Sequence, residues 1–146
     1  MIPRFRRDGK LPAGVHTAEW FEFEARYGTN ARRRGLMAGL KRALGVLRRA
    51  GCRIVYIDGS FVTAKPLPND FDGCWSIEGV DPELLDPVLL EFANGRAAQK
   101  AKYAGELFPA ELPEGASGRL FLDFFRHDAD GRPKGIIRIR LETLTP

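Results

Sequence analysis

The sequence predicts an α+β domain, a small mixed sheet flanked by helices, and three observations lead there. One long segment carries apolar residues at helical spacing, while several short runs are rich in β-branched and aromatic residues and bounded by Gly or Pro. The chain has 146 residues, of which 44% are hydrophobic and 29% charged, values suited to one globular domain with a buried core. Residues 1–14, rich in Arg, Pro and Gly, read as an extended basic arm, and residues 15–146 as a single domain.

Thr17 is placed to cap a short helix over Ala18 to Arg26, with Glu19 and Glu22 near its positive end and Gly28 closing it. Asn30 caps the longest helix, about Ala31 to Ala50, whose stripe is Leu36, Met37, Leu40, Leu44 and Leu47. Arg53 to Asp58 reads as a strand broken by Gly59-Ser60, and Asp70-Phe71-Asp72 as a second strand. Asp81-Pro82 has the form of a helix start, predicting a helix to about Phe92. Asn94-Gly95 reads as a turn, Arg96 to Tyr103 as a helix and Leu107 to Gly118 as a loop. Arg119 to Phe125 is the strongest strand candidate; Asp130-Gly131 then predicts a hairpin into Gly135 to Leu141.

No apolar run approaches the roughly 20 residues that span a bilayer, and no apolar stretch follows the basic start, so neither a membrane span nor a secretory leader is expected. Cys52 and Cys74 have no C-x-x-C spacing, which argues against a thiolate zinc site and for two buried, reduced thiols. A cytoplasmic protein is the expectation. The net charge is +4, with arginines clustered at 4, 6 and 7, at 32–34 and at 48–49. Such an excess suits nucleotide phosphates or nucleic acid, although each cluster alone also reads as a solvated helix face. His16 and His127 have no metal-ligand spacing and read as surface residues.

The chemistry is concentrated in carboxylates. On a strand, Asp70 and Asp72 project to one face, and paired carboxylates repel unless a cation compensates them. A third acid, Asp123, stands among Leu120, Phe121, Leu122, Phe124 and Phe125. If the three converge, hard divalent ions suit them and phosphoryl transfer is the matching reaction. Gly59 permits close backbone approach to phosphate, Ser60 adds a hydroxyl, and Lys65 can neutralise phosphate oxygen. Asn94 is placed to cap a helix on which Arg96, Lys100 and Tyr103 share a face; that face suits phosphate and a stacked base, or is simply a solvated basic face.

Ile57-Gly59-Ser60, nine residues, then Asp70-Phe71-Asp72, and later Leu122-Asp123-Phe124, together resemble the polymerase-beta-type nucleotidyltransferases, especially their minimal bacterial members. The resemblance implies a nucleotidyltransferase-like fold that uses a nucleoside triphosphate with Mg2+ or Mn2+. Asp70 and Asp72 would be metal ligands, Asp123 a ligand or general base, and Gly59-Ser60 the triphosphate turn. The acceptor hydroxyl would belong to protein, RNA or a small molecule, and a toxin–antitoxin or defence pair is implied by the company such small proteins keep. The chain departs from the pattern at Phe61 to Lys65, at Gly73 and at Asp58, which adds negative charge beside the turn. Longer stretches, 56–63, 70–75 and 94–100, also resemble a family of uncharacterised bacterial proteins. The alternative expectation is an inactive module of the same fold that binds a protein or nucleic-acid partner; a pure RNA-binding domain is the third.

Overall fold

The computed structural model describes residues 1–144. Its five strands are β1 (Gly14–Ala18), β2 (Ile54–Asp58), β3 (Phe71–Trp75), β4 (Gly105–Pro109) and β5 (Gly135–Arg140), and its helices are α1 (Trp20–Tyr27), α2 (Ala31–Arg49), α3 (Ala93–Tyr103) and α4 (Phe121–Phe125). The sheet order is β1-β5-β2-β3-β4. β1 runs parallel to β5 and β3 parallel to β4, whereas β2 is antiparallel to both its neighbours. This is the expected α+β class with a mixed sheet.

Strand alternation gives the sheet two unlike faces. Val55, Ile57, Phe71, Leu107, Ile137 and Ile139 point into the main core, against Phe23 and Tyr27 of α1 and Leu40, Leu44 and Leu47 of α2. The other face carries a smaller cluster, Cys74, Phe108 and Ala110, with Tyr56, Phe121, Leu122 and Phe125 packed on it. Both cysteines are buried and unpaired. The N-terminal arm lies against the domain, with Ile2 and Leu11 in the core.

α2 follows the sequence reading closely. The Asn30 side chain accepts from Arg33 N–H, and the whole apolar stripe is buried. Elsewhere elements differ from expectation. Thr17 lies in β1 and caps nothing; α1 starts at Trp20, whose N–H donates to Thr143 Oγ1 from the far end of the chain at 3.0 Å. The helix expected from Asp81 is a series of turns ending in a 3-10 turn over Pro87–Leu90. Asn94 does not cap α3: Asn94, Gly95 and Arg96 have φ of 53°, 64° and 63°, three consecutive left-handed residues. Most consequentially, the expected loop from Leu107 begins inside β4, and the expected strand around Asp123 is the short helix α4. The expected hairpin is reduced to a turn around Asp130-Gly131 closed by a single antiparallel bridge, His127 with Pro133, and β5 pairs with β1 and β2 instead. A short apolar run does not distinguish strand from buried helix by pattern alone, and here the slot beside β3 is filled by Gly105–Pro109.

Two glycines of α2 separate local propensity from packing. A Cβ on Gly39 would collide with the Tyr103 carbonyl at the end of α3, while one on Gly35 meets nothing. Gly35→Ala is expected to stabilise the protein by about 0.5–1 kcal/mol through helix propensity. Gly39→Ala is expected to destabilise it by about 1–3 kcal/mol through overpacking against backbone. Urea unfolding midpoints of the two variants, moving in opposite directions, check this.

Candidate functional site

Register brings the acids together. Asp58 is paired with Asp72 across β2 and β3, and Asp72 with Glu106 across β3 and β4. All three share strand parity with the smaller cluster, so they form a row on the second face of the sheet. Asp70 precedes β3 and lies in the electrostatic field of Glu106, Lys100, Arg32 and Lys65. The expected Asp70–Asp72 pair is therefore present, but its third partner is Glu106. Asp123 is corrected: it is exposed on α4, and the aromatic residues around it pack on Phe108 and on one another. Glu106 was detectable as a lone acid in Gly105-Glu106-Leu107-Phe108, but Pro109 and the brevity of the run concealed the strand.

The Gly59-Ser60 turn stands directly beside this row. Gly59 has φ of +75°, and a Cβ there would come within 2.8 Å of Asp72 Oδ2, so both conformation and space require glycine. Ser60 and Lys65 line a cavity of about 600 Å3 together with Arg6, Lys10 and Lys134. Lys10 and Lys65 make no ion pair among the described residues. The cavity is thus predominantly cationic at the end of the turn, although Asp8, held by Arg6, and Asp128 also line it.

What fixes the turn is Arg33. It is 3% exposed and donates to the carbonyls of Phe61 at 2.7 Å, Thr63 at 2.8 Å and Lys65 at 2.6 Å. Burial works against its charge, and this ring of carbonyl oxygens compensates. Arg32 likewise donates to the carbonyls of Pro68 at 3.0 Å and Asn69 at 2.6 Å. Two arginines of the 32–34 cluster thus hold the loop before Asp70 in place; their donors face backbone.

Two of the four acids have cationic partners. Lys134 Nζ is 3.0 Å from Asp58 Oδ2, and Arg96 Nε is 2.7 Å from Glu106 Oε2, with Lys100 Nζ at 3.8 Å. Arg96 and Lys100, expected to bind phosphate, therefore sit on the third carboxylate. Asp70 and Asp72 have no ion pair among the described residues. Burial, its hydrogen bond to Glu106 and the charges of Asp70 and Asp58 push the Asp72 carboxyl up to about 8. Burial also raises Asp58, against the pull of Lys134, and its Oδ1 is buried without a hydrogen-bond partner. Burial and Glu106 raise Asp70.

A family model spans residues 3–140, from the arm to the last strand. The chain belongs to DUF6932, a family of unknown function. No curated protein and no solved structure matches it. The family match takes in the arm, the turn and the acid row together. No helix among the described residues is long and apolar enough to cross a membrane.

Among the described residues no group of three or more His, Cys, Asp or Glu side chains is arranged to hold a metal ion on its own. That arrangement still fits Mg2+ or Mn2+ as a partner of phosphate. Such hard ions take oxygen donors and are commonly held by one or two carboxylates plus substrate phosphates, and Asp70 and Asp72 are the two acids without cations.

The Asp72 shift has a sign that can be tested in metal-free buffer. Folded Asp72 keeps its proton to about pH 8, whereas an unfolded carboxyl releases it near pH 4. Its contribution to stability is therefore complete below about pH 4 and falls as pH rises toward 8. Asp72→Asn, which mimics the protonated side chain, is expected to raise the urea midpoint relative to the parent at pH 8 and to change it little at pH 4. Separately, Arg33→Met is expected to destabilise the protein by about 2–4 kcal/mol, because the carbonyls of Phe61, Thr63 and Lys65 lose a charged donor. Chemical denaturation of both variants reads these effects.

Proposed function

We propose that this protein is a metal-dependent nucleotidyltransferase, related to the polymerase-beta-type superfamily, that moves a nucleotidyl group from a nucleoside triphosphate to a hydroxyl acceptor. The observation that carries the reading is the meeting of Asp70, Asp72 and Glu106 beside the Gly59-Ser60 turn, with a mainly basic cavity at the end of that turn. Asp70 and Asp72 would hold Mg2+ or Mn2+, which when bound supplies charge neutralisation at the phosphates. Lys10, Lys65 and Lys134 line the space where the triphosphate chain fits, and Gly59 leaves its backbone open to it. Glu106 takes the role first expected of Asp123: its carboxylate accepts the proton of the attacking hydroxyl as that oxygen bonds to the α-phosphorus and pyrophosphate leaves. Arg96 holds Glu106 at its Oε2 and orients it. Catalysis on this scheme is mainly positioning and electrostatics.

A second reading, a non-catalytic module that binds a protein or RNA partner, is favoured by one observation: Asp58 and Glu106 are already paired with Lys134 and Arg96. Incubation with labelled nucleoside triphosphates and Mg2+ or Mn2+ separates the two. On the transferase reading Asp70→Asn, Asp72→Asn and Glu106→Gln each lower labelling by about 100-fold or more, while Asp123→Asn leaves it unchanged. Labelling that survives loss of the acids, or its absence from the parent protein with every nucleotide and both metals, rejects the transferase reading.

A further inference from the structure

Past Glu106, the second face of the sheet carries a cleft of about 600 Å3 that the scheme above does not use. Phe108, 8% exposed, is among the residues that line it. The rings of Phe92 and Phe121 lie within 15° of parallel to Phe108, at centroid distances of 5.5 Å and 4.6 Å. Phe92 and Phe124 are 38% and 42% exposed, so both rings reach solvent at the cleft. Polar groups stand at the rim: Arg96, whose guanidinium lies 5.6 Å from the Phe108 ring centre, with Glu106 and Glu114. Rings that reach solvent and hydrogen-bonding groups beside them suit a flat heteroaromatic ligand, with faces that stack and an edge that pairs. The volume lies within the range of small-ligand sites. Arg96 and Glu106 line this cleft and Glu106 is paired with Asp72, so a ring seated here adjoins the acid row.

We propose that this cleft is a nucleobase-stacking site. The inference deepens the transferase reading and rests on it for the source of the base, which belongs either to the donor nucleotide or to a nucleoside at the end of the acceptor. An ordinary protein-docking patch would need apolar area but no rings, and this difference supplies the test.

The probe is the fluorescent nucleoside 2-aminopurine riboside, whose emission is quenched on stacking, titrated into the full chain without metal. Saturable quenching by the parent, weakened about tenfold in Phe124→Leu and in Phe92→Leu, supports the site, because leucine keeps apolar area and removes the ring. Both rings are partly exposed, and unchanged urea midpoints confirm that the variants fold. Two further arms identify the source. If the ring variants weaken binding of 2-aminopurine riboside triphosphate with Mg2+, the base is the donor's; if they weaken only an oligonucleotide ending in 2-aminopurine, it is the acceptor's. No quenching by the parent, or equal quenching by parent and leucine variants, overturns the proposal. Pairing the riboside titration with the labelling assay on the parent protein keeps the two ideas apart: ring-dependent quenching in a parent that labels nothing rejects the transferase and leaves the cleft standing. Labelling by the parent with no ring dependence does the reverse.

Discussion

The pairing of β2, β3 and β4 is the constraint on which the rest depends. Because side chains alternate along a strand, one choice of register puts Asp58, Asp72 and Glu106 in a single row and Val55, Ile57, Phe71 and Leu107 together on the opposite side. A slip of one residue would drive the carboxylates into the main core and expose its aromatic and aliphatic side chains. The hydrophobic layer under α1 and α2 thus enforces the acidic row on the other face. The repulsion among these acids is tolerated because the register is held by burial elsewhere.

That repulsion is relieved locally by three means. Lys134 reaches Asp58 from the start of β5, Arg96 reaches Glu106 from α3, and Asp72 retains a proton into the neutral range. The left-handed backbone of Asn94 and Arg96 belongs to the same solution, since it carries Arg96 to Glu106 at a cost of about 1–2 kcal/mol per non-glycine residue. Cations on the outer acids and a proton on the middle one hold the row near charge balance.

Arg33 shows how a basic cluster can be misread. In the sequence it belongs to Arg32-Arg33-Arg34, a run suited either to a polyanion or to solvent. In the fold its guanidinium is enclosed by Tyr27 and Phe61 and by the carbonyls of the turn that follows β2. One cation on α2 therefore sets the shape of the loop that carries Gly59, Ser60 and Lys65, linking the best-defined helix of the sequence to the candidate site.

The sequence by itself determined the elements whose signals are local. The cap at Asn30 and the stripe on α2 mark a helix whatever surrounds it; the β-branched run at 54–58 marks a strand; and Gly59 with the Asp70-x-Asp72 pair marks a place where charge and close backbone approach coincide. Tertiary structure decided what depends on partners distant in the chain. Trp20 begins α1 because Thr143 receives its N–H, and Phe121–Phe125 is a helix because Phe108 offers its rings a surface on the open face. The slot beside β3 went to Gly105–Pro109, and with it the third carboxylate passed from Asp123 to Glu106. Neither outcome is encoded in a local pattern, because short apolar runs compete for the same edge of a sheet and the winner is set by packing on both faces at once.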